Sequence, residues 1–199
     1  MEGTSTRTSA QISEEIDFYG GYLNVDYAKD FSTITLHILN KYFDKGLAVL
    51  RDVLLNPTFP ENELDTLIKN QRSAYMVDIE KVSYIAQKKL NELLFKGHAY
   101  GRSSTEEDFN KITRDDIVSF YEFYNLSAAQ VTLSGKIGDK EIQQLNDSLG
   151  SIVIEKKNFA PYDASFEIQA GDHFVEKKDA MQSSIKVATH LSLKGSDDF

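Results

Sequence analysis

Gly20-Gly21-Tyr22-Leu23-Asn24-Val25-Asp26-Tyr27-Ala28-Lys29-Asp30-Phe31-Ser32-Thr33-Ile34-Thr35-Leu36-His37-Ile38-Leu39 is the stretch that decides the fold. Leu23, Val25 and Tyr27 alternate with polar neighbours, and Ile34, Leu36 and Ile38 alternate with Thr33, Thr35 and His37. Successive side chains on a strand point to opposite faces, so each run has one apolar and one polar face. Lys29-Asp30 separates the two runs, and the pattern predicts a β-hairpin. Gly20-Gly21 stops the element before it, because glycine adopts the backbone conformations that end helices.

The flanks read as helix. Upstream, Ser9 to Tyr19 follows Thr8 and Gln11 at capping-box spacing, with Ile12 and Ile16 on one face. Downstream, Asn40 is placed to cap a helix whose stripe is Phe43, Leu47, Leu50 and Leu54, ended by Asn56-Pro57. The longest helical pattern runs from about 61 to 95, with a break expected between Val77 and Lys81. Ser104/Glu107 and Thr113/Asp116 have capping-box spacing, and the second opens a helix with Ile117, Phe120, Tyr121 and Tyr124 on one face. Gln130 to Lys136 reads as a strand and Asp139 to Leu149 as a short helix. Residues 151–170 read as a linker, and Phe174 to Leu193 as a strand or hairpin. The expected class is α+β, a small antiparallel sheet covered by helices.

Composition narrows the chemistry. The 199 residues include 22 Lys and Arg against 31 Asp and Glu, a net charge of -9. Nucleic acid calls for clustered cations, so it is not an expected partner. The absence of cysteine removes thiolate ligands and cysteine nucleophiles. No targeting or membrane-spanning segment is visible, and the expectation is a soluble piece of unknown compartment. Zinc hydrolases take three protein ligands, two of them commonly from one helix. The histidines are His37, His98, His173 and His190, and no two fall within five residues. Asp108, Asp115 and Asp116 suit helix N-termini. No catalytic residue and no metal ligand is assigned.

Several motifs, in order, resemble the M16 metallopeptidases, which include insulin-degrading enzyme, pitrilysin and the mitochondrial processing peptidases. They are Gly3-Thr4, Arg7-Thr8, Ile12-Ser13-Glu14-Glu15-Ile16 and Gly20-Gly21-Tyr22-Leu23-Asn24. Tyr42-Phe43-Asp44-Lys45 and Leu54-Leu55-Asn56-Pro57-Thr58-Phe59-Pro60 continue the match. Gly97-His98-Ala99-Tyr100-Gly101-Arg102, Ile112-Thr113-Arg114-Asp115-Asp116-Ile117 and Lys177-Lys178-Asp179-Ala180-Met181-Gln182-Ser183-Ser184-Ile185 complete it. The resemblance implies most of the first structural half of an M16-like domain in residues 1–150, a linker over 151–170, and the start of the second half over 171–199.

The resemblance also implies where zinc would sit. The family's H-x-x-E-H motif would fall just upstream of Met1, and its third ligand, a Glu, near Ala74. Thr66 to Val77 contains no Asp or Glu. Losing one of three ligands removes most of the affinity of such a site. The expected function is therefore the non-catalytic half of a peptidase clamp, with no cofactor in this chain and zinc in active family members. Its expected partners are a peptide or unfolded protein and a catalytic M16 domain in cis or trans. Family resemblance assigns peptide binding by strand addition to Tyr22, Leu23, Asn24 and Val25. Exposed sheet edges also imply self-association. Two alternatives stay open: a truncated piece of an active zinc endopeptidase, and a structural scaffold subunit.

Overall fold

A computed structural model describes residues 2–123, 126, 129–152 and 167–189. The α+β class holds: among the described residues helices precede and follow, in chain order, one two-stranded antiparallel sheet. The chain divides into two compact units, one of residues 1–66 and 112–158 and the other of residues 67–111 and 159–199.

In the first unit, helix α1 spans Ser9–Phe18. The Thr8 hydroxyl accepts from the Gln11 backbone, and the Gln11 side chain accepts from the Thr8 backbone. Strands β1 (Tyr22–Tyr27) and β2 (Ser32–His37) pair in the register Tyr22↔His37 to Tyr27↔Ser32. The Ala28 N–H donates to the Phe31 carbonyl at 2.8 Å, closing the turn around Lys29-Asp30. Helix α2 (Phe43–Leu55) lies behind the hairpin. Ile12, Ile16 and Val49 form a buried cluster, with Leu23, Leu36 and Val53 against it. The apolar face of the hairpin is thus seated on α1 and α2 at its base. Towards the tip, Val25, Ile34, Tyr27 and Phe31 are exposed.

Arg114 opens helix α6 (Arg114–Phe123) and donates to the carbonyls of Thr58 and Phe59, each at 2.8 Å. Phe59 has a φ of 46°, a conformation costly for a side chain with a Cβ. The guanidinium and the ring contact with Tyr121 hold it there. The Tyr121 hydroxyl also donates to the Leu54 carbonyl at 2.6 Å, satisfying one of the open groups at the end of α2.

The second unit takes the rest of helix α3 (Glu61–Asp78), helix α4 (Val82–Leu94) and the short α5 (Glu106–Phe109). The break between α3 and α4 falls within the expected window. Tyr75 packs against Tyr84 and Phe109, and Lys88 sits over the Tyr75 ring. Residues 167–169 run beside the end of α4, with Lys96 and Glu167 exchanging backbone hydrogen bonds.

Five local expectations are corrected. Asn40 does not cap α2. It starts a 3-10 turn, Asn40–Tyr42, and its side chain donates to the Lys136 carbonyl instead. The first capping box is shifted by one residue: Thr105 and Asp108 make it, not Ser104 and Glu107. Gln130 to Lys136 is not a strand, and neither are the described residues of the tail, 174–189. Alternation makes a segment fit for a sheet, but a strand exists only where a neighbour takes up its backbone groups. Among the described residues neither segment has a partner strand. Asp139 to Leu149 divides into helix α7 (Asp139–Leu145) and a π-helical turn, Asn146–Gly150. Tyr124, His190, Leu191, Leu193 and most of the expected linker lie outside the described residues.

Candidate functional site

Strand β1 pairs with β2 along one edge, and among the described residues no strand pairs with the other. The free edge begins at Tyr22, immediately after α1 and Gly20-Gly21. Gly21 brings the start of β1 against the end of β2. A Cβ there would lie 2.4 Å from the His37 carbonyl oxygen, so only glycine fits.

Tyr22, Leu23, Asn24 and Val25 are therefore consecutive residues of an edge strand, and they divide by face. Leu23 turns inward to the core cluster and Val25 continues that face. Tyr22, Asn24 and Asp26 line the other face, which is exposed. The Tyr22 ring stacks on the His37 ring across the strand pair, with centroids 5.1 Å apart and planes 4° apart. Asn24 donates to the Asp26 carboxylate at 2.9 Å.

A second cluster in the same unit escaped the sequence reading. Asp52 of α2 is 8% exposed. Its Oδ2 accepts from the Thr4 hydroxyl at 2.6 Å, the Arg7 guanidinium at 2.7 Å and the Thr6 hydroxyl at 2.9 Å. Its Oδ1 accepts from the Asn56 side chain at 2.8 Å. Burial alone would raise the Asp52 pKa. The hydrogen bonds from Thr4, Asn56, Arg7 and Thr6 together outweigh it and hold the carboxyl well below the usual carboxylate range. Arg7 also pairs with Glu15 at 2.8 Å, and Glu15 and then Asp52 raise the guanidinium pKa. The arrangement has no reactive geometry. Every lone pair of note on Asp52 points at a fixed donor, so it ties residues 3–8 to α2. The one signal in the sequence was a charged pair, Arg51-Asp52, set between the apolar runs Leu47–Leu50 and Val53–Leu55.

No donor set among the described residues fits zinc. Among the described residues no three His, Asp or Glu side chains come together in a metal-binding group. His37 is stacked on Tyr22. His98 Nδ1 accepts from the Tyr100 N–H at 3.0 Å, and a His173 ring nitrogen lies 3.0 Å from the Gln169 carbonyl. Ala74 is exposed in the second half of α3. Glu63 lies roughly 16 Å away along the same helix at 1.5 Å per residue. Glu80 lies beyond its end and is paired with Lys177 at 2.8 Å. No described helix is long and apolar enough to cross a membrane.

Comparison with known proteins agrees with this architecture. Residues 1–108 match the model of the insulinase family, peptidase family M16. An uncharacterized zinc protease of Rickettsia bellii is 27% identical over 93% of the chain and 45% of its own length. The non-peptidase homolog YmxG of Helicobacter pylori is 25% identical over 97% of the chain and 45% of its own length. The chain thus spans about half the length of the curated relatives it matches. Among solved structures, a protease from Helicobacter pylori superposes with a TM-score of 0.72 at 16% identity, over 81% of this chain and 40% of that one. The peptidase M16 inactive domain from Pseudomonas fluorescens superposes with a TM-score of 0.57 at 20% identity, over 60% of this chain and 30% of that one.

Proposed function

Since the chain belongs to the insulinase family, peptidase family M16, we propose that it forms the non-catalytic half of a peptidase clamp, enclosing a peptide or unfolded protein without holding zinc itself. One observation carries the reading. Helix α3, where the resemblance puts the third zinc ligand, has no carboxylate from Thr66 to Val77, and the nearest glutamates are distant or paired. The existence of a relative named a non-peptidase homolog supports it. In this reading Tyr22-Leu23-Asn24-Val25 receives an extended peptide on the free edge of β1. Main-chain hydrogen bonds supply the affinity. A catalytic M16 domain, in the same chain or another subunit, completes the clamp, and residues 171–199 begin the second structural half.

Two measurements test it. Elemental analysis of the purified chain is expected to find far less than one zinc per chain, and one tightly held zinc would overturn the reading. Fluorescence anisotropy with a labelled extended peptide is expected to show binding that is lost when every second peptide amide is N-methylated in the register facing β1. Methylation in the alternate register should leave binding in place. Equal loss in both registers would remove strand addition from the account.

The naming of several relatives as zinc proteases favours a second reading, a piece of an active endopeptidase. The two separate on addition of a catalytic M16 subunit. A non-catalytic half raises that subunit's peptide hydrolysis, and it does so without zinc of its own.

A further inference from the structure

The open face of β1 carries information about which peptide it would take, and this inference rests on the strand-addition reading above. The Tyr22 and His37 rings lie 5.1 Å apart and within 4° of parallel. That separation is close to the roughly 4.8 Å spacing of neighbouring strands. The two parallel rings stack across the strand pair. His37 covers the Tyr22 ring on the β2 side. The opposite ring face looks towards the free edge, and Tyr22 is 54% exposed. A third strand added there would place one residue directly opposite Tyr22, at the same spacing as His37 on the other side. A planar side chain at that position continues the stack.

Asp26 lies four residues along on the same face, exposed, with Asn24 donating to its carboxylate. Its partner across the pair is Thr33, which is neutral. The open face thus presents an aromatic ring and, two side-chain positions further along, an anion whose cross-strand neighbour is neutral. The chain's net charge of -9 adds a background that draws cations.

We propose that the free edge of β1 selects extended peptides carrying a planar side chain, arginine foremost, opposite Tyr22 and a basic side chain four residues away opposite Asp26. Arginine serves the first position because its flat guanidinium stacks on an aromatic ring and gains cation–π attraction. Lysine or arginine serves the second. Alternation puts both on one face of the added strand, and the intervening residues face the side of Leu23 and Val25, where apolar side chains fit.

The test uses the full chain and nine-residue labelled peptides of alternating valine and threonine. One carries Arg at position 3 and Lys at position 7. A second has the same composition with the two cations three residues apart, on opposite faces. A third has threonine in place of both. Anisotropy titration should rank the first tightest, by about ten-fold over the third, since each exposed contact contributes about three- to five-fold. Asp26→Asn should cost the first peptide about three- to five-fold and leave the third unchanged. Asp26→Lys should shift the preference to a peptide with Glu at position 7, a gain that loss of folding cannot mimic. Tyr22→Leu, which keeps the strand apolar at that position, should remove the preference for Arg at position 3. Equal binding of all three peptides would overturn the inference and leave strand addition standing. Binding of none of them would overturn both.

Discussion

Replacing Asp52 should destabilise the first unit far more than its place on a helix suggests. In Asp52→Ala, the hydroxyls of Thr4 and Thr6, the amide of Asn56 and one arm of the Arg7 guanidinium lose their acceptor together. Breaking a buried ion pair from one side costs about 3–5 kcal/mol. Arg7 is 24% exposed and keeps Glu15, so its share lies at the low end of that range. The orphaned hydroxyls add about 1 kcal/mol between them, because Thr4 is itself buried. The expected loss is about 3–4 kcal/mol for Ala and about 2 kcal/mol for the isosteric Asn, which keeps an acceptor and loses the charge. In urea unfolding followed by far-UV circular dichroism, a slope of about 2 kcal/mol/M turns these into midpoint shifts of about 1–2 M. The pH dependence has a definite sign. The folded pKa of Asp52 is depressed, so its contribution is fully present above the unfolded value, near 4, and is lost as pH falls below that towards the folded value. The gap between wild type and Asp52→Asn should therefore be widest above about pH 5 and shrink on acidification. A midpoint shift under about 0.2 M for Asp52→Ala at pH 7 would refute the account. So would a gap that widens in acid.

Three further outcomes follow from the geometry. Gly21→Ala should destabilise the unit by about 1–3 kcal/mol in thermal melting and abolish peptide binding at β1, because the new Cβ meets the His37 carbonyl, a backbone atom that cannot turn away. Thr105→Ala should cost about 1 kcal/mol by the same measurement, while Ser104→Ala should stay within about 0.5 kcal/mol, since only Thr105 caps α5. At high concentration, light scattering should detect association through the hairpin, and Val25→Lys should suppress it by putting a charge on the edge strand.

What could be read from the residues was local. The Thr8–Gln11 and Thr113–Asp116 boxes form as spaced. The hairpin turns at Lys29-Asp30, and the long helix breaks after Asp78. Each of these is settled within a few residues by period or by a cap. The losses are non-local. Gln130 to Lys136 has the alternation of a strand, but no described strand pairs with it. Val49, fully buried, sits beside the expected stripe of α2, because that helix packs against α1 and β2 together and buries a broader face. The Asp52 cluster joins residues up to 48 apart in sequence, and a single helical aspartate gives no sign of what will reach it. For the edge, alternation placed Tyr22 to Val25 on a strand. The stacking of Tyr22 on His37, which orients the ring, depends on register and became visible only in the structure.

Among the described residues the hairpin is packed at its base. Leu23 and Leu36 belong to the packed cluster, while Val25, Tyr27, Phe31 and Ile34 extend past it. Reach and anchorage are therefore set by different residues. Two residues added to or removed from each strand near the turn preserve the alternation and leave the base in place. The length of the arm is thus separable from the packing that holds its base. How far the arm extends can then change with no redesign of the core.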